Sequence, residues 1–158
     1  MAERSKGVAL PGKPTIVITR TVDAPRALVW TAWTDPRHIA QWWGPNGFRT
    51  TIQAMEVKPG GIWRFIMHGP DGTDYPNKIV YREVKKPERL VYDHSGAEGS
   101  EMHIFQATVT FAERNGTTEI TMASTFPSVA ARDGELKFGA VEGGRQTLDR
   151  LADYLPTI

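Results

Sequence analysis

Apolar and polar residues alternate over residues 15–22 (TIVITRTV), with Ile16, Ile18 and Val22 on one side of a β-branched segment, and the pattern predicts a first strand. The period then lengthens. Pro25 stands where a first helical turn begins, and Leu28, Val29, Ala32 and Trp33 recur at helical spacing. A second short helix follows, with Asp35 as its N-cap, Pro36 as its first residue and Gly44-Pro45 as a stop beyond Trp42-Trp43.

From residue 50 to residue 126 the pattern is one of strands and tight turns, with segments 50–57, 62–68, 77–84, 89–95, 102–112 and 118–126. Connections this short force antiparallel neighbours, because a parallel return needs a longer crossover. Asn115-Gly116 is the strongest hairpin signal among the breaks. Closing that hairpin sets Phe111 near Ile120 and Phe105 near Phe126. Alternation then gives the inner face: Trp63, Phe65 and Met67; Ile79, Tyr81 and Glu83; Leu90, Tyr92 and His94; His103, Phe105, Ala107, Val109 and Phe111; Ile120, Met122, Ser124 and Phe126. His68 is left pointing outward or on the rim.

Residues 134–154 read as one long helix with Ala140, Val141, Leu148, Leu151 and Leu155 on its apolar side. Gly144 falls near the centre of that side, where it costs about 1 kcal/mol relative to Ala. It either lets the backbone pack closely on the sheet or leaves room for a ligand. A long helix across a curved antiparallel sheet is an α+β arrangement of two layers, and the space between them is the natural place for a pocket.

Composition narrows the chemistry. The chain has 158 residues, one domain's worth, with 19 Lys and Arg against 18 Asp and Glu. That balance gives no excess charge for nucleic acid or an anionic membrane, and neither is an expected partner. With no cysteine, disulfides, thiolate metal sites and a cysteine nucleophile are excluded. No apolar run approaches a membrane-spanning length. Met1 to Pro14 has no apolar core of a signal peptide and is expected to be a loose leader, with a single domain over 15–158 and a cytoplasmic location. Asn115-Gly116-Thr117 matches a glycosylation acceptor but is read as the hairpin turn.

His94 and His103 are expected to oppose each other across a hairpin. With Tyr81 and Tyr92 they are the catalytic candidates, through acid–base chemistry or a polar contact to a ligand. Glu83 and Arg145 are further polar groups beside the apolar face. A metal site wants a third ligand and outer support that these residues do not supply, and neither metal nor cofactor is expected. Gly60-Gly61 lacks the Lys-Ser/Thr of a phosphate loop, and no serine sits in a nucleophile elbow.

The order of words along the chain carries a resemblance. Ala24-Pro25 with Val29-Trp30, Thr34-Asp35-Pro36, Trp42-Trp43-Gly44, Pro59-Gly60-Gly61 with Trp63-Arg64, Pro70-Asp71-Gly72, Pro87-Glu88-Arg89-Leu90 and Leu148-Asp149-Arg150-Leu151 together resemble the START-like (SRPBCC, helix-grip) superfamily. Within it, the chain is similar to the group homologous to the activator of heat shock protein 90 ATPase, over residues 15–155. The resemblance implies a sheet gripping the C-terminal helix around a cavity for an apolar or aromatic small molecule. It also implies two alternatives: a cyclase- or hydrolase-like enzyme, and a chaperone-contacting protein. A weak homodimer is a further partner reading. Many members carry Gly-Trp where this chain has Gly143-Gly144, which implies a larger or differently shaped cavity here. The expected lining is Trp43, Trp63, Phe65, Ile79, Tyr81, Tyr92, His94, His103, Phe105, Met122, Phe126, Val141, Gly144 and Leu148.

Overall fold

The computed structural model describes residues 5–96, 105–137 and 139–158. In chain order the elements are β1 (Lys6–Ala9), β2 (Thr15–Val22), α1 (Arg26–Thr34), α2 (Pro36–Ile39), β3 (Arg49–Met55), β4 (Ile62–His68), β5 (Asp74–Lys85), β6 (Arg89–Gly96), β7 (Phe105–Arg114), β8 (Thr117–Thr125), α3 (Val129–Lys137) and α4 (Ala140–Tyr154), with a final 3-10 turn at Leu155–Thr157. Among the described residues the strands form one curved antiparallel sheet in the order β1-β2-β8-β7-β6-β5-β4-β3. The six strands β3 to β8 are the predicted meander. The first predicted strand, β2, joins the end of that meander by pairing with β8, Ile16 opposite Ser124 and Ile18 opposite Met122.

Local chemistry explains the joints. The Asp35 carboxylate caps α2 by accepting from the Arg37 amide at 2.9 Å, with Pro36 in the first turn. Asn115 and Gly116 both take positive φ, 52° and 79°, as the tight turn between twisted strands requires. Phe111 accordingly faces Ile120.

Four expectations change. The long helix over 134–154 is two helices, because Gly139 takes the left-handed φ of 81° and ends the first run before α4 begins. Part of the expected loose leader is strand β1, which pairs with β2, and Ser5 donates through Oγ to the Arg145 carbonyl at 3.2 Å. A four-residue edge strand has too little pattern of its own to be read from the chain; its backbone pairing partner is what creates it. Glu83 leaves the inner face because a bulge between Tyr81 and Glu83 shifts the register. Val84 packs on the core instead, and Glu83 meets Arg89 at 3.6 Å. Finally, the register partner of His94 is Phe105, and the expected partner His103 lies outside the described residues.

The core fills one end of the space between sheet and helices. α1 and the turn after α2 lay Trp30, Trp33, Trp42 and Trp43 over the sheet; Trp30, Trp33 and Trp43 meet Trp63, Phe65 and Phe111 edge-on at centroid distances from 5.1 to 6.2 Å, and Trp42 meets Trp33 at 4.9 Å, a favoured aromatic geometry. The indole of Trp42 donates to the Ala32 carbonyl at 3.1 Å and fixes the second helix on the first. The C-terminal half of α4 buries Leu148 and Leu151 in the same core, followed by Leu155.

Candidate functional site

The N-terminal half of α4 is different. It follows Gly139 and carries Ala140, Gly143 and Gly144 where the C-terminal half carries leucines, and beneath it lies a cavity of about 330 Å³. The sheet contributes Ile16, Ile18, Met67, Asn77, Tyr92, His94, Phe105, Met122 and Ser124 to its wall; Trp43, Gly44, Pro45, Phe126, Glu135 and Thr147 complete it. Small residues on one wall and large apolar ones on the other describe a mostly apolar pocket with a few polar groups.

Several features hold this wall in place. The Arg150 guanidinium on α4 donates to the carbonyls of Gly44 and Pro45 at 2.8 and 3.0 Å, tying the loop after α2 to the helix. Arg132 of α3 is buried and donates to the carbonyls of Leu10 and Lys13 at 2.6 and 2.7 Å. The Thr147 hydroxyl donates to the Gly143 carbonyl one turn back at 2.9 Å, so this polar group is satisfied within the helix.

Of the expected lining, Trp43, Tyr92, His94, Phe105, Met122, Phe126 and Gly144 border the cavity. Trp63, Phe65, Ile79, Tyr81 and Leu148 are sealed in the solid core, because the tryptophans of α1 and of the turn after α2 and the leucines of α4 close over them. Val141 points instead toward β1, where a Cβ on Gly7 would meet its Cγ1. Arg145 sits at the same edge, donating to the Ser5 carbonyl at 3.1 Å and meeting Glu142 at 3.2 Å. His103 lies outside the described residues. Asn77, Ile16 and Ile18 were not singled out as lining. Asn77 is in phase with Ile79 and Tyr81, so alternation contained the signal. The isoleucines needed the pairing of β2 with β8.

Gly144 settles as a close approach. A Cβ there would collide with Ile18 Cδ1, and Met122 Cε lies 3.9 Å away. The space beside this glycine is therefore taken by an isoleucine from β2, and the cavity extends around that contact rather than through it.

The polar end of the cavity is a side-chain pair. His94 Nε2 and Asn77 Oδ1 are 2.8 Å apart, and both residues are buried. Phe65 and Phe105 flank the imidazole at 5.9 and 4.9 Å. Burial disfavours the imidazolium and lowers the His94 pKa from 6.5 to about 4. Burial likewise pushes the Tyr81 and Tyr92 hydroxyls well above the ordinary tyrosine range, the charge on Tyr92 adding to the effect on Tyr81. Near neutral pH all three are uncharged hydrogen-bonding groups.

On the other face of the sheet, His68 accepts or donates at both ring nitrogens, 2.7 Å from Thr51 Oγ1 and 2.7 Å from Asp74 Oδ1. This bridge ties β3, β4 and β5 together on the outside, as the outward placement of His68 anticipates. Among the described residues no group of three His, Asp or Glu side chains is placed to hold a metal ion. Among the described residues no helix is long and apolar enough to cross a membrane.

A curved antiparallel sheet around a C-terminal helix, with a cavity between them, defines a helix-grip protein of the START-like superfamily. The family described as Activator of Hsp90 ATPase homolog 1-like protein matches residues 23–156, and the chain belongs to it. A protein of Arthrobacter aurescens, solved in solution, superposes with a TM-score of 0.90 at 26% identity, covering 97% of this chain and 92% of that one. Protein Ms6760 of Mycobacterium smegmatis superposes with a TM-score of 0.86 at 25% identity, covering 97% and 96%. DynU16, a protein in the dynemicin biosynthetic locus, superposes with a TM-score of 0.68 at 26% identity, covering 91% of this chain and 48% of that longer one. No curated protein matches the chain significantly.

Proposed function

We propose that this protein binds a small apolar or aromatic molecule in the cavity beneath the N-terminal half of α4. The carrying observation is the cavity itself, about 330 Å³ of space beside a tightly packed aromatic core, in a family consistent with ligand binding. A pocket of this size with mostly apolar walls exposes apolar surface that a ligand would take out of water. The similarity to a protein of a biosynthetic locus supports a small-molecule ligand.

Binding is favoured over acid–base catalysis by the state of His94. A group that protonates only near pH 4 is a weak general base at neutral pH, where catalysis is best served by a pKa close to the working pH. The family name brings chaperone contact as a second reading, but no feature of the cavity bears on it.

Native mass spectrometry of freshly purified protein tests the proposal. The expected spectrum contains a species heavier than the chain alone, and denaturation releases the added mass as a small molecule. Gly144→Trp, which drives a large side chain past Ile18 into the cavity, should abolish it. Retention of the same added mass in a folded Gly144→Trp variant would place the ligand elsewhere.

A further inference from the structure

We propose that the cavity selects uncharged ligands that offer a hydrogen-bond donor, such as a phenol or enol hydroxyl, to Nδ1 of His94, and that it turns carboxylates away. This rests on the cavity being the binding site.

The chain of bonds fixes the tautomer. Asn77 Nδ2 donates to the Tyr75 carbonyl at 2.7 Å, which only the NH₂ end of the amide can do. The other end, Oδ1, is therefore the atom 2.8 Å from His94 Nε2. An amide oxygen cannot donate, so Nε2 must carry the proton in that contact. A neutral imidazole has a single N–H, which leaves Nδ1 a bare lone pair. Among the described residues Nδ1 has no hydrogen-bond partner. The ring to which it belongs lines the cavity.

Charge works in the same direction. Among the described lining residues there is no Lys or Arg, and Glu135 is the one charged group. A carboxylate ligand would lose its hydration, find no cationic side chain among these lining residues, since the nearby Arg150 is spent on the Gly44 and Pro45 carbonyls, and meet both a lone pair and a like charge. The hydroxyls of Ser124 and Tyr92 can donate or accept and do not discriminate. His94 Nδ1 can only accept, and a ligand without a donor leaves it desolvated and unpaired.

Calorimetric titration of the full chain near neutral pH with naphthalene, 2-naphthol and 2-naphthoate tests this. The three share one ring system and differ in donor and charge. The naphthol should bind about tenfold or more tighter than either of the others. Its advantage over naphthalene should vanish in His94→Leu and persist in part in His94→Gln, whose amide can still donate to Asn77 and accept from the ligand. Equal binding of all three would overturn donor selection while leaving the cavity reading intact, and so would tightest binding by the naphthoate. Absence of binding by all three would overturn both. The wild-type ranking decides the matter even where His94→Leu fails to fold. An unchanged naphthol preference in a folded His94→Leu would remove His94 from the recognition.

Discussion

Phe65 and Phe105 stand on the same inner sheet face and flank the same imidazole, at 5.9 and 4.9 Å from His94, yet Phe65 is sealed and Phe105 borders open space. The difference lies in what covers them. Over Phe65 comes Trp43, edge-on at 6.2 Å, with Trp63 stacked at 4.1 Å. On the Phe105 side the cover is Phe126 at 5.1 Å and the glycine-rich start of α4, which brings no large side chain. One face of one sheet thus makes a core at one end and a cavity at the other, and the helices decide which.

The largest expected effect is a contrast between these two phenylalanines. Phe65→Ala should cost about 3–5 kcal/mol in urea unfolding, since it opens a void in a packed region. Phe105→Ala enlarges an existing cavity rather than opening a void in a packed region, and should cost about 1–2 kcal/mol. Similar losses at the two positions would show that both ends are packed alike and would break the comparison.

A second effect follows from His94, which belongs to the cavity end. The unfolded chain takes up a proton at this residue near the ordinary value of 6.5, whereas the folded protein resists until about 4. The unfolded state therefore binds more protons throughout this window. Its contribution to stability is complete above about pH 6.5 and is lost as pH falls toward 4. The shift corresponds to something on the order of 3 kcal/mol. Urea midpoints taken in steps across this window should fall with pH, and the part of the slope due to His94 should disappear in His94→Gln. Identical slopes in the two proteins would mean that His94 is solvated.

The smallest effect belongs to Gly144. Ala there gains about 1 kcal/mol of helix propensity but forces Ile18 Cδ1 aside, and the end of an isoleucine can rotate into the cavity. Thermal unfolding should move by less than about 1 kcal/mol in either direction, while affinity for 2-naphthol should fall. Higher affinity in Gly144→Ala would show that Ile18 does not bound the binding space.

Most of the architecture is legible along the chain, because antiparallel strands joined by short turns are fixed locally. Alternation marks which residues face inward, and Asn115-Gly116 sets the register that puts Phe111 opposite Ile120. Asp35-Pro36 marks the second helix. Where local pattern is thin or interrupted, the reading departs from the structure: the bulge after Tyr81 turned Glu83 outward, Gly139 divided the last helix, and β1 exists through its pairing with β2. The family was also legible, because its words recur in order along the chain.

The wall of the cavity was legible only in part. By itself the sequence determined an inner face of aromatic and aliphatic residues with His94 among them, and a glycine pair in the last helix. Only the tertiary structure decided that Trp63, Phe65 and Tyr81 would be core and that Phe105 and Met122 would border space. It also set Ile18 against Gly144 and Asn77 against His94. Periodicity gives the direction of a side chain from its own strand, whereas burial depends on what a distant segment lays over it. In this chain those segments are the tryptophan-bearing stretch from α1 to the turn after α2, and a last helix with glycines in its first turns.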